Sequence, residues 1–266
     1  MKTLSGVLIA MLCLTAMPAL LPAAGMATPP AAREFYEIKV YHYTKPMQAR
    51  VLDEYLQLVY LPMLHKAGIA KVGVFMPLAN DTAVDKILYV FVPYASLEQW
   101  HKLAAAPQRD FGPAEPGTPY VNAAFDSQPY TRTESILLEA FPKAPHMTMP
   151  ALTGPHQERI YELRSYESPT EKFNANKVHM FNDGGEVALF KRLDFNAVFY
   201  AEVLSGSHMP NLMYMTSFEN RQAREDHWKA FGNDAEWKAL KDQPQYEHNV
   251  SKAEVILCHA APYSDL

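Results

Sequence analysis

The chain has 266 residues, 48% hydrophobic and 20% charged, which suits one large or two ordinary domains, each able to bury a core. The formal net charge is −5, and no basic cluster is interleaved with aromatic residues, which argues against nucleic acid and anionic membrane surfaces as partners.

The first stretch reads as an export signal. Lys2 supplies the positive end, Val7 to Ala16 the apolar run, Pro18 the break, and Gly25-Met26-Ala27 the small residues of a cleavage site. The run is short for a membrane-spanning helix. Residues 1–27 are therefore set apart as a signal peptide, and the mature protein is expected in the periplasm or outside the cell, free of the membrane. The cysteines are Cys13 and Cys258. Loss of the signal would leave Cys258 alone, without an intrachain disulfide, and it reads as a small buried hydrophobe.

After a Pro/Ala lead-in, Phe35–His42 alternates with period two, as a strand does. Met47–Lys66 has apolar residues at helical spacing (Val51, Leu52, Tyr55, Leu58, Val59, Leu64), with Pro62 to kink it and Gly68 to end it. Val72–Met76 and Ile87–Val92 are strands around a polar turn. Ser96-Leu97-Glu98-Gln99 opens a helix holding Trp100. Phe111–Pro119 reads as a loop, and Tyr130–Phe141 as the fourth strand. Prolines at 142, 145, 150 and 155 punctuate the stretch after that strand.

The next unit repeats the order. Tyr161–Tyr166 is a strand. Ser168-Pro169-Thr170-Glu171 is a helix start, with Ser168 expected at the cap and Pro169 first in the helix. The helix carries Phe173, Val178 and Phe181, Gly184-Gly185 interrupts it, and Val187–Leu193 adds a turn. Phe195–Leu204 and Leu212–Phe218 are strands. Asn220 caps a helix with His227, Trp228 and Phe231, Asp234–Leu240 is a short helix with Trp237, and Val250–Cys258 is the last strand.

Tyr36-Glu37-Ile38-Lys39-Val40-Tyr41 and Tyr161-Glu162-Leu163-Arg164-Ser165-Tyr166 both read Tyr-Glu-aliphatic-basic-x-Tyr. Tyr89 and Tyr214 are separated by the same interval as Tyr36 and Tyr161, which points to a tandem duplication. Each half reads β-α-β-β-α-β, the ferredoxin-like motif. The expected fold is α+β: two tandem ferredoxin-like domains pairing sheet to sheet as a pseudo-dimeric α/β barrel, with the Glu-x-basic-x-Tyr face lining the interface or a lumen. The expected domains are residues 34–141 and 156–266, joined by a linker at 142–155.

The second half resembles the NIPSNAP family, within the dimeric α/β-barrel superfamily. The resemblance rests on Tyr161–Tyr166, Phe190-Lys191-Arg192-Leu193, Pro210-Asn211-Leu212-Met213-Tyr214-Met215 and His227-Trp228-Lys229-Ala230-Phe231. It covers about residues 156–264, and the first half looks like a diverged copy, lacking the Lys-Arg pair. The resemblance implies the fold. It leaves activity open, since family members are associated variously with vesicle traffic, mitochondria and haem, and the related barrels include quinone-forming monooxygenases and haem enzymes.

Motifs for dinucleotide or phosphate binding, for a serine nucleophile, or for a zinc protease are missing from the sequence. Glu162 and Arg164 share one strand face and either orient a polar ligand or form a buried charge network. The structural role is preferred. Tyr166, Tyr200 and Tyr214 could offer phenols to a ligand but read first as packing residues. His179 and His227, the latter beside Trp228, could ligate haem, with a satisfied or exposed histidine as the plainer reading. His146-Met147-Thr148-Met149 could hold a soft metal, though chance Met content explains it better. Arg192 either complements a helix end or draws an anion.

The expectation is thus an exported NIPSNAP-type protein that binds an unknown small molecule without strong catalytic machinery. No cofactor is required, haem being the one the resemblance admits, and a homo-oligomer is open. A monooxygenase-like or haem-using enzyme is one alternative, and a protein-interaction scaffold another.

Overall fold

A computed structural model describes residues 32–104 and 115–266. The expected signal peptide and part of the 111–119 loop lie outside the described residues.

Eight strands are present: β1 (Phe35–Tyr43), β2 (Gly73–Pro77), β3 (Lys86–Tyr94), β4 (Arg132–Ala140), β5 (Ile160–Glu167), β6 (Asn196–Ser205), β7 (Asn211–Phe218) and β8 (Lys252–Ala260). They close into one antiparallel barrel in the order β1-β3-β2-β8-β5-β7-β6-β4. Its first four strands lie together, as do its last four, and the two sets meet edge to edge at β2–β8 and β4–β6. The expected sheet-to-sheet stacking is replaced by two seams in a continuous wall. Closure leaves no free edge among the described strands.

Helices cover the outside. The first set carries α1 (Pro46–Tyr55), α2 (Leu61–Lys66), α3 (Leu97–Ala104) and α4 (Thr118–Val121), and the second α5 (Glu171–Asn182), α6 (Glu186–Arg192), α7 (Arg221–Asn233) and α8 (Ala235–Lys241). A π turn, Leu56–Tyr60, joins α1 to α2 just before Pro62, whose ring cannot donate into a regular helical ladder. The wide turn rotates the buried face: Tyr60 and Leu61 point inward and Leu58 outward, against the regular spacing read from the sequence. Gly68, at φ +89°, ends the segment as expected. Its N–H donates to His65 O, and Ile69 N–H to Leu64 O. In the other set the cap of α5 is Thr170 rather than Ser168. Thr170 accepts from Phe173 N, while Ser168 Oγ donates to Asn249 O on a neighbouring loop.

The period-two strands sort their faces cleanly. Tyr36, Ile38, Val40, Tyr161 and Leu163 point into the barrel, where they pack with Phe75, Phe91, Phe199 and Cys258. The opposite face, with Glu37, Glu162, Arg164 and Tyr166, lies beneath the helices. This corrects the expectation that the polar face lines a lumen. Strand neighbours satisfy Glu37, through Tyr94 and Ser135, and α7 joins Arg164 in satisfying Glu162, whereas the lumen is packed with aromatic and aliphatic groups. Cys258 is wholly buried there, and burial pushes its thiol pKa up.

The two halves align with a one-residue slip. Val40 faces Tyr89 across β1–β3, while its counterpart Ser165 faces Met213 across β5–β7. Tyr89 therefore matches Met213, and Tyr214 points the other way. Side chains alternate along a strand, so the slip puts Tyr89 in the lumen and Tyr214 under the helices.

Candidate functional site

The densest polar constellation lies between β5, β7 and helices α5–α7. Asn220 caps α7, accepting from Ala223 N at 2.9 Å. This start sets Arg224 and Trp228 one turn apart on a single helix face. Both reach the wholly buried Glu162, whose Oε2 accepts from Arg224 Nε at 2.6 Å and from Trp228 Nε1 at 2.9 Å. Glu162 Oε1 accepts from Arg164 Nε at 2.5 Å. The Arg164 guanidinium lies 3.7 Å over the Trp228 ring and donates to Tyr166 Oη at 2.8 Å. Tyr166 and Tyr214 share a further phenol–phenol bond of 2.8 Å.

A second buried pair stands alongside. Lys177 on α5 donates to Glu186 on α6 at 2.9 Å, and both side chains are almost fully enclosed. Lys177 Nζ also lies 4.7 Å from the Phe181 ring centre.

Burial works against the Arg164 charge, but Tyr214, Tyr166 and Glu162 outweigh it and hold its pKa above the ordinary value. Burial raises the Glu186 carboxyl against the pull of Lys177 and Arg164. It also drives the Tyr214 phenol well above its usual range, so at neutral pH this hydroxyl acts only as a hydrogen-bond group. Arg224 extends to Glu225 at 2.8 Å on the rim. Each charge has an opposite partner, and the network joins the barrel wall to the helices.

The open space lies to one side. A cleft of about 550 Å³ runs between residues 143–151, α6 and β6. Val187, Phe195, Ala197 and Tyr200 give it an apolar lining, with Lys143, His146 and Lys191 among its polar residues. The 142–155 segment follows β6, with Thr148 N–H donating to Val198 O at 2.9 Å. Met147 turns away into the barrel core, which splits the His-Met-Thr-Met run across two environments.

Residues 161–265 match the family described as NIPSNAP. The match lies wholly in the second half of the chain. No curated protein matches the chain. Among solved structures, a candidate monooxygenase from Lactobacillus acidophilus NCFM aligns with a TM-score of 0.54 at 10% identity, over 86% of this chain and 94% of that one. A candidate monooxygenase from Fusobacterium nucleatum gives 0.51 at 6% identity, over 86% and 93%. A NIPSNAP family protein from Agrobacterium tumefaciens C58 aligns at 16% identity over 44% of this chain and 98% of that one, with a TM-score of 0.36. The first two likenesses establish the shared barrel fold.

The network in the matched half gathers five of the residues singled out from sequence: Glu162, Arg164, Tyr166, Tyr214 and Trp228. Tyr200 stacks on Tyr214, ring centres 5.7 Å apart, and links the network to the cleft. The remaining three stand elsewhere. His179 pairs through Nδ1 with Tyr246 Oη at 2.9 Å. His227 Nδ1 is 2.7 Å from its own helix's Ala223 O, and the ring packs edge-on against Phe195 and Phe218. Arg192 is held by Asp234 at 2.8 Å and Glu236 at 3.0 Å, fastening α6 to α8. Arg224, Lys177 and Glu186 were missed. Arg224 carried one usable signal, its four-residue spacing from Trp228 after the Asn220 cap.

Proposed function

We propose that this protein is an exported NIPSNAP-type protein that binds a small molecule, built from two tandem ferredoxin-like repeats at 34–141 and 156–266 with the 142–155 linker between them. The supporting observation is the cleft along β6. Its volume falls within the usual 300–1,000 Å³ of ligand sites, and it joins an apolar lining to a few polar groups. The linker forms one wall, so the site draws on more than the NIPSNAP repeat. The cleft also weighs against a pure interaction scaffold. The test is native mass spectrometry of the purified chain beside Ala151→Trp, which fills the cleft from an exposed position. A co-purified small molecule lost in the variant supports the reading, and identical spectra without adducts overturn it. Export is tested by sequencing the mature N-terminus, expected near position 28.

The fold shared with two candidate monooxygenases supports a second reading, an oxygenase or haem-using enzyme. For haem, the two histidines named from sequence fit poorly. Their Nδ1 bonds, to Tyr246 and to a helix carbonyl, leave Nε2 as the only ring nitrogen for iron, and neither ring lines the cleft. No Soret band after haem addition would remove the haem version.

A further inference from the structure

One mouth of the barrel holds a second, smaller chamber of about 190 Å³, roughly six waters' worth of liquid volume. Its walls are lumen side chains, among them Val40, Tyr89, Met213 and Ile256. Two features give it a chemical preference. The first is a matched pair of carboxylates. Glu134 stands opposite Val40 on β4, and Glu254 opposite Ser165 on β8, so each half of the barrel contributes one. Among the described residues no cation forms a salt bridge with Glu254. Glu134 has His42 Nε2 at 3.4 Å, but that ring is already joined to Asp85 through Nδ1 at 2.8 Å. His208, also on the rim, pairs with Glu167 at 3.2 Å.

The second feature is an orphaned acceptor. Asn211 is 2% exposed and lines the chamber. Its Nδ2 donates to Ser165 Oγ at 2.9 Å, but its Oδ1 is buried without a partner. A buried carbonyl oxygen left unbonded is costly, and a donor-rich ligand would remove that cost. An alkyl or aryl ammonium carries three donors and a positive charge on an apolar body. We propose that the barrel mouth is a binding site for a small primary ammonium compound, its cation held by Glu134, Glu254 and Asn211 Oδ1 and its hydrocarbon part by the lumen wall. This site is separate from the β6 cleft and does not depend on it.

The experiment is calorimetric titration of the full chain with n-butylammonium chloride, sodium butyrate and 1-butanol, three probes of similar size and different charge. Saturable binding of n-butylammonium alone is expected. The Glu134→Gln/Glu254→Gln variant should weaken it at least tenfold, and Ser207→Trp, on the rim of the chamber, should abolish it. Both changes are at solvent-exposed positions, and an unchanged melting curve confirms the fold. The proposal is overturned if n-butylammonium does not saturate, which leaves a water-filled chamber, if the three probes bind alike, or if the double variant binds as well as the wild type.

Discussion

Glu162 Oε2 accepts from Arg224 Nε at 2.6 Å, so a strand residue and a helix residue far apart in sequence share one buried charge pair. Glu162 also holds Arg164 and Trp228. Glu162→Gln should cost about 3–5 kcal/mol, because two guanidinium groups lose their buried counter-charge. That is a large share of a typical folding free energy of about 5–15 kcal/mol. Urea denaturation checks it, and losses below about 1 kcal/mol, the scale of a surface pair, would show that the network does not bolt the helices down.

Arg224 changes what a compensating variant should do. Had Glu162 and Arg164 been an isolated pair, replacing both with apolar residues would recover most of the loss. With Arg224 left behind, Glu162→Leu/Arg164→Met should recover only part. Adding Arg224→Met should recover more, and the three melting midpoints measure the order directly.

Asp234 gives a pH-dependent prediction. Its carboxyl accepts from Arg192 and from the first amides of α8, and these bonds hold its pKa below the ordinary value, the Arg192 bond foremost. A depressed carboxylate contributes stability above its unfolded pKa of about 3.9, and that contribution is lost as pH falls through the folded pKa. Asn is also a good helix cap, so Asp234→Asn removes the charge and keeps the cap. The wild type should be the more stable at pH 7, and the difference should shrink toward zero in strong acid. A constant difference from pH 7 to pH 2.5 would contradict the ion pairing.

The seams predict the behaviour of an isolated half. Residues 156–266 alone would expose the β6 and β8 edges and one side of the lumen. This fragment should dimerise or aggregate, rebuilding eight strands from two copies. A well-folded monomer at high concentration, seen by sedimentation, would show that the halves do not need each other.

Much of this architecture was legible because strand alternation and turn residues are local signals. All eight strands and the helices carrying Trp100, Phe173, Trp228 and Trp237 fall where the pattern places them. Which face turns inward was not legible. Tyr36 and Tyr161 sit on one face, Glu162 and Tyr166 on the other, and both faces mix aromatic and polar groups. The decision rests on Arg224 and Trp228, which reach the strand only after α7 has docked. Tyr89 and Tyr214 misled for a related reason: identical residues at a repeated interval suggested one register, while the pairing of Val40 and Ser165 shows a slip. Lys177 and Glu186 lie on separate helices across Gly184-Gly185, and no single-helix spacing brings them together.

The barrel wall is uneven. At β2–β8 the ladder has three residue pairs, and at β4–β6 four with a bulge, so both seams together hold fewer than the nine of β1–β3 alone. Partial opening should start at these seams, and amides that face them, such as those of Met76 and Phe141, should exchange with solvent ahead of those in β1 and β5. An opening there would leave each half's own ladders paired. Two chains opened together at high concentration could trade halves and close again as an interlocked pair.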